Sequence, residues 1–497
     1  MTGPAAPPTP DDPAPPSADG EATLYVDLDG TLIQSDLLVE SAIGLVKTDP
    51  AALWSLPGWL MQGRAVLKRK LTDRAMPDPA ELPYRPEVLD YLRGQRAAGR
   101  TLILATAADR HAADRVADHL GLFDGVLASD GHHNLKGKAK LDAIREHAGN
   151  QPFAYLGDCA ADEPIWAAAN QRLMAGGDAA LHRRVTRDGQ ACTVLVERSP
   201  VLAALFAAMR PRQWVKNGLL FVPMLAGHAV TADNLLSVFI GIVCFCLAAS
   251  SIYLVNDTLD VHADRTHPTK SRRPIAAGRL SITHALAAVP ILILMSLLIA
   301  AVFLPWAFLG WLVMYLVVTV MYSVNLRSRL LIDVITLAGL YALRIFAGGA
   351  VVDITPSFWL LTLSIFLFLS LGFVKRYAEL RSIADEEAIT HAASTRHSER
   401  SYRPEDRGLI QLMGVVSGYA AAIVLCLYLN DPISKELYAR PELLWPVVPL
   451  FLYWVSRIWL IAQRGRMNED PVAWAVGDRL SWVLGLSVLL LAMLASG

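Results

Sequence analysis

The second half of this chain is a succession of apolar runs. From about residue 200 to the end, stretches near the twenty residues that a helix needs to cross a bilayer follow one another, whereas the first 200 residues have a mixed, soluble-looking pattern. Nine spans are expected, at about 212–230, 236–256, 284–303, 305–323, 331–351, 357–377, 409–428, 444–463 and 478–496. The loops after the even-numbered spans hold most of the lysines and arginines, five of them between Arg265 and Arg279. By the positive-inside rule those loops and the soluble part share the cytoplasmic side. The 54% hydrophobic content is thus concentrated in one region, and the net charge of -1 averages two unlike parts and says little about partners. No nucleic-acid partner is expected, and the sequence leaves a homo-oligomer open.

Residues 1–20, "MTGPAAPPTPDDPAPPSADG", lack the basic start and apolar stretch of a signal peptide and read as a disordered tail. The five cysteines, Cys159, Cys192, Cys244, Cys246 and Cys426, form no CxxC pair or metal-ligand spacing and read as buried small residues.

The soluble part, residues 21–195, carries chemistry at the ends of its strands. "ATLYVDLDGTLI" begins as a strand and turns at Asp27, Leu28, Asp29, Gly30 and Thr31, so that two carboxylates flank one residue. A second strand, "RTLILATAAD", ends on Thr106, and a third, "QPFAYLGDCAAD", ends on Asp158 with Asp162 four residues on. Between them "NLKGKAKLDAIREH" brings Lys136 and Lys140 to the start of a helical pattern. Strand ends are where open α/β sheets place ligands. Two carboxylates, a hydroxyl, a lysine and two more carboxylates would assemble a phosphate site: one aspartate to attack phosphorus, its neighbour to shuttle the proton, distal carboxylates to hold magnesium, and lysine with threonine to neutralise phosphoryl oxygens.

The four motifs, in this order, resemble the haloacid dehalogenase (HAD) superfamily of phosphohydrolases. The resemblance implies an α/β Rossmann-like domain with a small helical cap at about 33–88. It also implies Asp27 as nucleophile and metal ligand, Asp29 as general acid/base, Thr106 as phosphate-binding hydroxyl, and Asp158 and Asp162 at the magnesium. Lys140 fits the lysine's place, with Lys136 as the alternative. Within the cap, "LWSLPGWLMQGRAVLKRKL" is apolar, aromatic and basic; as a helix it would either lie on a membrane surface or pack as an ordinary cap helix.

After a linker at 196–211, the membrane part raises a sharper question. In "LVNDTLDVHADRTHPTKSRRP", residues 254–274, Asp257, Asp260 and Asp264 stand at i, i+3 and i+7 and share one face if the helix continues. Carboxylates crowded this way repel, and magnesium relieves such repulsion through a few carboxylates while sharing its other positions with water and substrate phosphates. Basic and polar residues gather at the cytoplasmic ends of the spans: Arg210, Arg212, Lys216 and Asn217 in "RPRQWVKN"; Tyr322, Arg327, Arg329 and Asp333 in "MYSVNLRSRLLID"; and Lys375, Arg376 and Tyr377 in "KRYAEL". Arg344 lies inside the fifth span. Such groups are costly near a membrane unless used, and together they suit a substrate with several phosphates.

Nine spans with "NDTLDVHAD" after the second resemble the UbiA-type prenyltransferase superfamily, whose first motif, Asn-Asp-x-x-Asp-x-x-x-Asp, is matched completely by Asn256 to Asp264. The resemblance implies an all-α, nine-helix transmembrane domain at 212–497 that binds a diphosphate through magnesium on Asp257, Asp260 and Asp264. Its usual second motif, Asp-x-x-x-Asp, is reduced here to Asp333, with Leu337 where the partner acid would stand. "RPRQWVKN", "NDTLDVHADRTHPTKSRRPIAAG" and "LGFVKRYAEL" look like the decaprenyl-phosphate phosphoribosyltransferase branch. That narrower resemblance implies phosphoribosyl pyrophosphate (PRPP) as donor and a polyprenyl phosphate lipid as acceptor. Lys216, Arg273, Lys375 and Arg376 would hold phosphates, Tyr322 and Arg327 would position groups beside Asp333, and Asn217, Asn256, Arg265, Lys270, Arg344 and Tyr377 complete the candidate substrate-binding set.

The expected function is a bifunctional enzyme of the bacterial inner membrane, with both sites cytoplasmic, that transfers 5-phosphoribose and then removes the 5-phosphate. Two alternatives stand beside it: a conventional aromatic prenyltransferase whose HAD domain acts on another phosphate, and a HAD domain that only senses phosphorylated ligands.

Overall fold

The computed structural model describes residues 22–130, 133–149, 151–390, 402–432, 437–467 and 470–496. The tail expected at 1–20 lies outside the described residues. The chain divides into two compact units, one of Met1–Ala208 with Asp257–Leu286, the other of Met209–Asn256 with Ala287–Gly497.

The first unit is built on six parallel strands: β1 (Thr23–Val26), β2 (Leu102–Asp109), β3 (Gly125–Ser129), β4 (Phe153–Gly157), β5 (Gln171–Ala175) and β6 (Cys192–Val196), in the order β3-β2-β1-β4-β5-β6. Continuous apolar runs suit strands covered on both faces. Leu24, Val26, Leu102, Leu104 and Leu156 face one core with Val88, Leu92 and Val116. The alternate residues Tyr25, Ile103, Phe153 and Tyr155 face the other with Leu141, Ile144 and Trp166. The chain moves outward from β1 to β2 and β3, then returns to β4 on the other side of β1. That reversal opens a crevice at the carboxyl ends of β1 and β4, where Asp27 and Asp158 follow their strands. The second motif strand does not end on Thr106 as expected; β2 runs on to Asp109, and its register with β3 shifts between Ala105 and Asp109.

The segment expected as cap is helical. It contains α1 (Leu37–Thr48), short turns of helix at Pro50–Ser55 and Leu56–Met61, and α2 (Arg64–Ala75). Asp36 caps α1 by accepting from the Leu38 and Val39 amides. The helix considered over 53–71 is broken at Gly63, whose φ of +114° suits glycine. Leu45, Ala52, Trp59 and Leu71 form a small core of their own, and Trp59 is flanked by Lys70 and Arg74 at 5.8 and 4.6 Å from its ring. The turns expose Trp54, Leu60 and Met61. Further on, α3 (Lys138–Ala148) packs Leu141 and Ile144 under the sheet.

Among the described residues, eight helices are long and apolar enough to cross a membrane: Ala232–Leu259, Ile282–Phe303, Trp306–Val324, Ile332–Val351, Phe358–Ser382, Pro404–Asn430, Pro441–Gln463 and Arg479–Ser496. The chain is a multi-pass membrane protein. Eight replaces the expected nine because the first predicted span, 212–230, is a 3-10 stretch, Pro211–Leu220, followed by the short helix Phe221–Ala226. The change of helix type falls between Leu220 and Phe221, and the short helix stops at Gly227, a residue that favours a break. The 3-10 stretch is instead seated against helix Ile332–Val351, where a Cβ on Gly348 would lie 2.3 Å from the Leu220 carbonyl oxygen.

Candidate active sites

At the crevice of the first unit, the side chains converge on Lys140. Its ammonium donates to Asp27 Oδ1 at 2.9 Å, Asp162 Oδ1 at 3.3 Å and the Tyr155 hydroxyl at 3.0 Å, and the lysine is buried. Lys136, the alternative weighed from sequence, is exposed. Helix geometry explains the difference: Lys140 stands on the face of α3 that carries Leu141 and Ile144 into the core, while Lys136 precedes the helix. Thr106 is buried on β2, with its hydroxyl accepting from the Ala108 amide at 3.0 Å. Asp29 accepts the Leu37 amide at 2.8 Å, which ties it to the start of α1.

The electrostatics of these carboxylates differ from those of ordinary surface acids. Burial pushes the Asp27 carboxyl up to about 6, against the pull of Lys140 and with Asp162 adding repulsion. Burial, followed by the charges of Asp27 and Asp162, pushes Asp158 up to about 7. Burial and then the charge of Asp36 raise the Asp29 carboxyl well above its ordinary value, the direction a proton donor needs. Burial would lower Lys140, but Asp27 and Asp162 more than offset this and hold its ammonium charged. Two buried carboxylates, Asp27 and Asp162, share one lysine, and the half-buried Asp158 adds a third negative group beside them. Asp158, Cys159 and Asp162 each offer an atom within 4.8 Å of the others, and the carboxylate oxygens of Asp27, Asp158 and Asp162 are hard donors that fit magnesium. Gly30 leaves Asp158 its room, since a Cβ there would lie 2.1 Å from Asp158 Oδ2.

The acidic motif also lies in the first unit from Asp257 onward. Its helix does not continue through all three carboxylates. Helix Ala232–Leu259 ends before Asp260, and a short helix, Val261–Arg265, begins after it. Asp257 and Asp264 still come together, sharing the Arg273 guanidinium at 3.1 and 2.5 Å. Asp260 faces Lys47, at the end of α1, at 3.6 Å. Arg265, expected to bind substrate, is engaged by Glu40 of α1 through two bonds of 2.6 and 3.1 Å. Asn256 is half-buried on the helix just before Asp257, and Lys270 sits half-buried on the turn Lys270–Arg272. Two of these carboxylates are thus answered by Arg273 and the third faces Lys47, cations whose places a hard divalent ion could take.

In the second unit, the polar residues singled out in the sequence fall into three groups among the described residues. Asp470, which reading the sequence had missed, accepts from Lys216 at 2.8 Å, lies 3.6 Å from Lys375 and 3.4 Å from the Tyr341 hydroxyl, and caps the helix Pro471–Gly477 through the Val472 amide. Burial alone would raise its carboxyl, but Lys216 and Lys375 hold it below the ordinary range. Asn217 accepts from Arg344 at 2.9 Å. Arg344 also donates to the Leu340 carbonyl and the Tyr315 hydroxyl, so this buried arginine is spent on holding its own helices. In the third group Arg376 donates to Asp333 at 2.5 Å, Glu379 at 2.6 Å and Tyr322 at 2.9 Å, while Tyr402 donates to the other Asp333 oxygen at 2.7 Å. Arg327 is half-buried on the turn Leu326–Ser328. Tyr377 packs edge-on to Trp459 within the apolar core rather than in a polar site.

Two signals for the missed residues were present in the sequence. "DPVAW" at 470 is an Asp-Pro helix start, and Glu40 lies on the buried face of α1 with Leu37, Ser41 and Ile43. A carboxylate at a core position calls for a partner, but the sequence does not say which one.

Comparison with known proteins places this geometry among relatives. The UbiA prenyltransferase family model matches residues 220–474, and the haloacid dehalogenase-like hydrolase model matches residues 24–165. The uncharacterized protein y4nM of Sinorhizobium fredii is 35% identical over 474 residues, 94% of this chain and 90% of that protein. Decaprenyl-phosphate phosphoribosyltransferase of Mycolicibacterium smegmatis is 39% identical over 311 residues, 58% of this chain and 90% of that protein. Nodulation protein NoeC of Azorhizobium caulinodans is 31% identical over 285 residues, 56% of this chain and 90% of that protein.

Proposed function

We propose that this chain, which belongs to the UbiA prenyltransferase family and carries a haloacid dehalogenase-like hydrolase domain ahead of the membrane helices, transfers 5-phosphoribose from PRPP to a polyprenyl phosphate and then removes the 5-phosphate. The observation that carries the choice of donor is Asp333. It is the one acid left where a second Asp-x-x-x-Asp motif would stand, and both its oxygens are taken by Arg376 and Tyr402. A conventional prenyltransferase needs that second acidic motif for a second ion. Here one carboxylate cluster, Asp257, Asp260 and Asp264, serves a diphosphate. The relatives named decaprenyl-phosphate phosphoribosyltransferase support the same donor.

In the transfer, the bond from ribose C1 to pyrophosphate breaks, an oxygen of the lipid phosphate forms the new bond to C1, and pyrophosphate leaves. Arg273 helps neutralise the carboxylate cluster, and Lys216 and Lys375 supply cations for phosphate oxygens. In the second step Asp27 attacks the 5-phosphorus, Asp29 gives its proton to the departing ribose oxygen, and Lys140 with Thr106 hold the phosphoryl group. Water then cleaves the aspartyl phosphate, with Asp29 taking its proton. Magnesium held by Asp257, Asp260 and Asp264, and by Asp27, Asp158 and Asp162, would offset phosphate charge in each site. The distribution of lysine and arginine supports a bacterial inner-membrane location with both sites on the cytoplasmic side.

The test is labelled PRPP with magnesium and a polyprenyl phosphate, comparing wild type, Asp27→Asn and Asp260→Asn. The reading expects a lipid-linked ribose from wild type, the 5-phosphorylated lipid from Asp27→Asn, and nothing from Asp260→Asn. Absence of label in lipid, with incorporation of an allylic diphosphate instead, would overturn it.

A further inference from the structure

One helix of the hydrolase domain reaches both reactive clusters of the first unit. The amide of Leu37, at the start of α1, donates to Asp29, the proposed acid of the phosphatase site. Three residues on, Glu40 is fully buried and holds Arg265, next to Asp264 of the acidic motif, with His262 also 3.6 Å from its carboxylate. Seven residues beyond Glu40, two turns along the same face, Lys47 stands 3.6 Å from Asp260.

We propose that Lys47 is a diphosphate-binding residue of the acidic motif, contributed by the hydrolase domain and aimed by the Glu40–Arg265 pair. The assignment rests on the proposed reading of that motif as a diphosphate site. Three features carry it. A diphosphate brings more negative charge than one divalent ion cancels, so the motif needs cations of its own. Arg273 is shared by Asp257 and Asp264, and the cation that α1 brings faces Asp260. At 3.6 Å the Lys47 ammonium and Asp260 attract without a close hydrogen bond, and the side chains are 34% and 21% exposed, so the ammonium can turn to a phosphate oxygen beside the carboxylate. A lysine meant only to fasten the helix would be redundant here, because Glu40 and Arg265 already do so with two bonds in a buried setting.

The assignment predicts that the hydrolase domain adds to donor affinity in the membrane reaction. The measurement is calorimetric titration of pyrophosphate into the full chain in detergent with magnesium, alongside the KM for PRPP, for wild type, Lys47→Met, Lys47→Arg and Asp260→Asn. Losing one charged contact to a phosphate should weaken pyrophosphate binding by about tenfold in Lys47→Met. KM should rise to match with little change in kcat, and Lys47→Arg should restore most of the loss. Because an exposed pair adds little stability, the Lys47→Met melting temperature should stay near that of wild type. Wild-type pyrophosphate affinity in Lys47→Met, with binding lost in Asp260→Asn, would overturn the role of Lys47 and leave the diphosphate site standing. A loss in Lys47→Met that is accompanied by a lower melting temperature and is not rescued by arginine would also overturn it, as a structural effect. Wild-type affinity in Asp260→Asn would overturn the diphosphate reading of the motif itself.

Discussion

Gly30→Ala tests the phosphatase site through a single methyl group. Gly30 has φ +78°, its amide donates to the Ser35 carbonyl at 3.1 Å, and its own carbonyl accepts from Arg85 at 3.0 and 3.2 Å, so the peptide is held on both sides. The added Cβ would lie 2.1 Å from Asp158 Oδ2 and 2.7 Å from its Cγ. The left-handed conformation costs an alanine about 1–2 kcal/mol. Overpacking a tight site costs a further ~1–3 kcal/mol. Together these lower the melting temperature of a domain this size by roughly 4–20 °C. Because the backbone is fixed, Asp158 must give way, and displacing a metal-site carboxylate should raise the magnesium concentration for half-maximal hydrolysis by about 10–100-fold. The assay is hydrolysis of a small phosphomonoester against magnesium concentration, with thermal unfolding run in parallel and Asp158→Asn as reference. An alanine variant with wild-type magnesium dependence and an unchanged melting temperature would refute both the placement of Asp158 and its role at the metal.

Further outcomes follow from the same geometry. Lys140→Met leaves Asp27 and Asp162 without their cation and should cut hydrolysis by about 10²–10³-fold, whereas Lys136→Met should hydrolyse near the wild-type rate; steady-state kinetics of the two variants would expose a reversed assignment. Because Asp27 and Asp158 are raised to about 6 and about 7, the metal-free fold holds more protons than the unfolded chain from about pH 4 to 7 and loses stability as pH rises through that window. The stabilisation gained on adding magnesium should therefore grow from pH 5.5 to 8, and a melting shift independent of pH would contradict this. Arg376→Ala leaves Asp333 buried and half-answered, a loss of about 3–5 kcal/mol. Arg376→Lys should recover little, since one ammonium cannot reach Asp333, Glu379 and Tyr322 together; a lysine variant melting like wild type would count against that network.

Much of this organisation is legible in the sequence because it is local. Asp27, Asp29 and Gly30 form one turn, and the acidic motif is nine consecutive residues, so their types and spacing announce their chemistry. The long apolar runs likewise announce membrane helices. What stayed hidden depends on distant partners. Nothing near Glu40 names Arg265, nothing near Lys216 names Asp470, and nothing near Asp333 names Tyr402. The first predicted span failed for a related reason. Its mean apolarity resembles that of a transmembrane helix, but its place depends on the absence of a side chain at Gly348, more than a hundred residues further on. Charge and position single out Arg344 and Tyr377, and the neighbours they meet, Asn217 and Trp459, lie far along the chain from them.

The pairing of Glu40 with Arg265 also has a consequence for how the protein is made. The two residues are 225 positions apart. At ribosomal speeds of about 5–20 residues per second, Glu40 leaves the ribosome roughly 11–45 s before its counter-charge does. Through that interval α1 carries a carboxylate destined for the interior with nothing to answer it, and a buried charge without a partner is strongly unfavourable. The hydrolase domain therefore completes its packing only after the first long membrane helix has been synthesised and the loop beyond it has emerged. A chain that stalls before Arg265 keeps Glu40 without its counter-charge, so the packing of α1 waits on the synthesis of the membrane part.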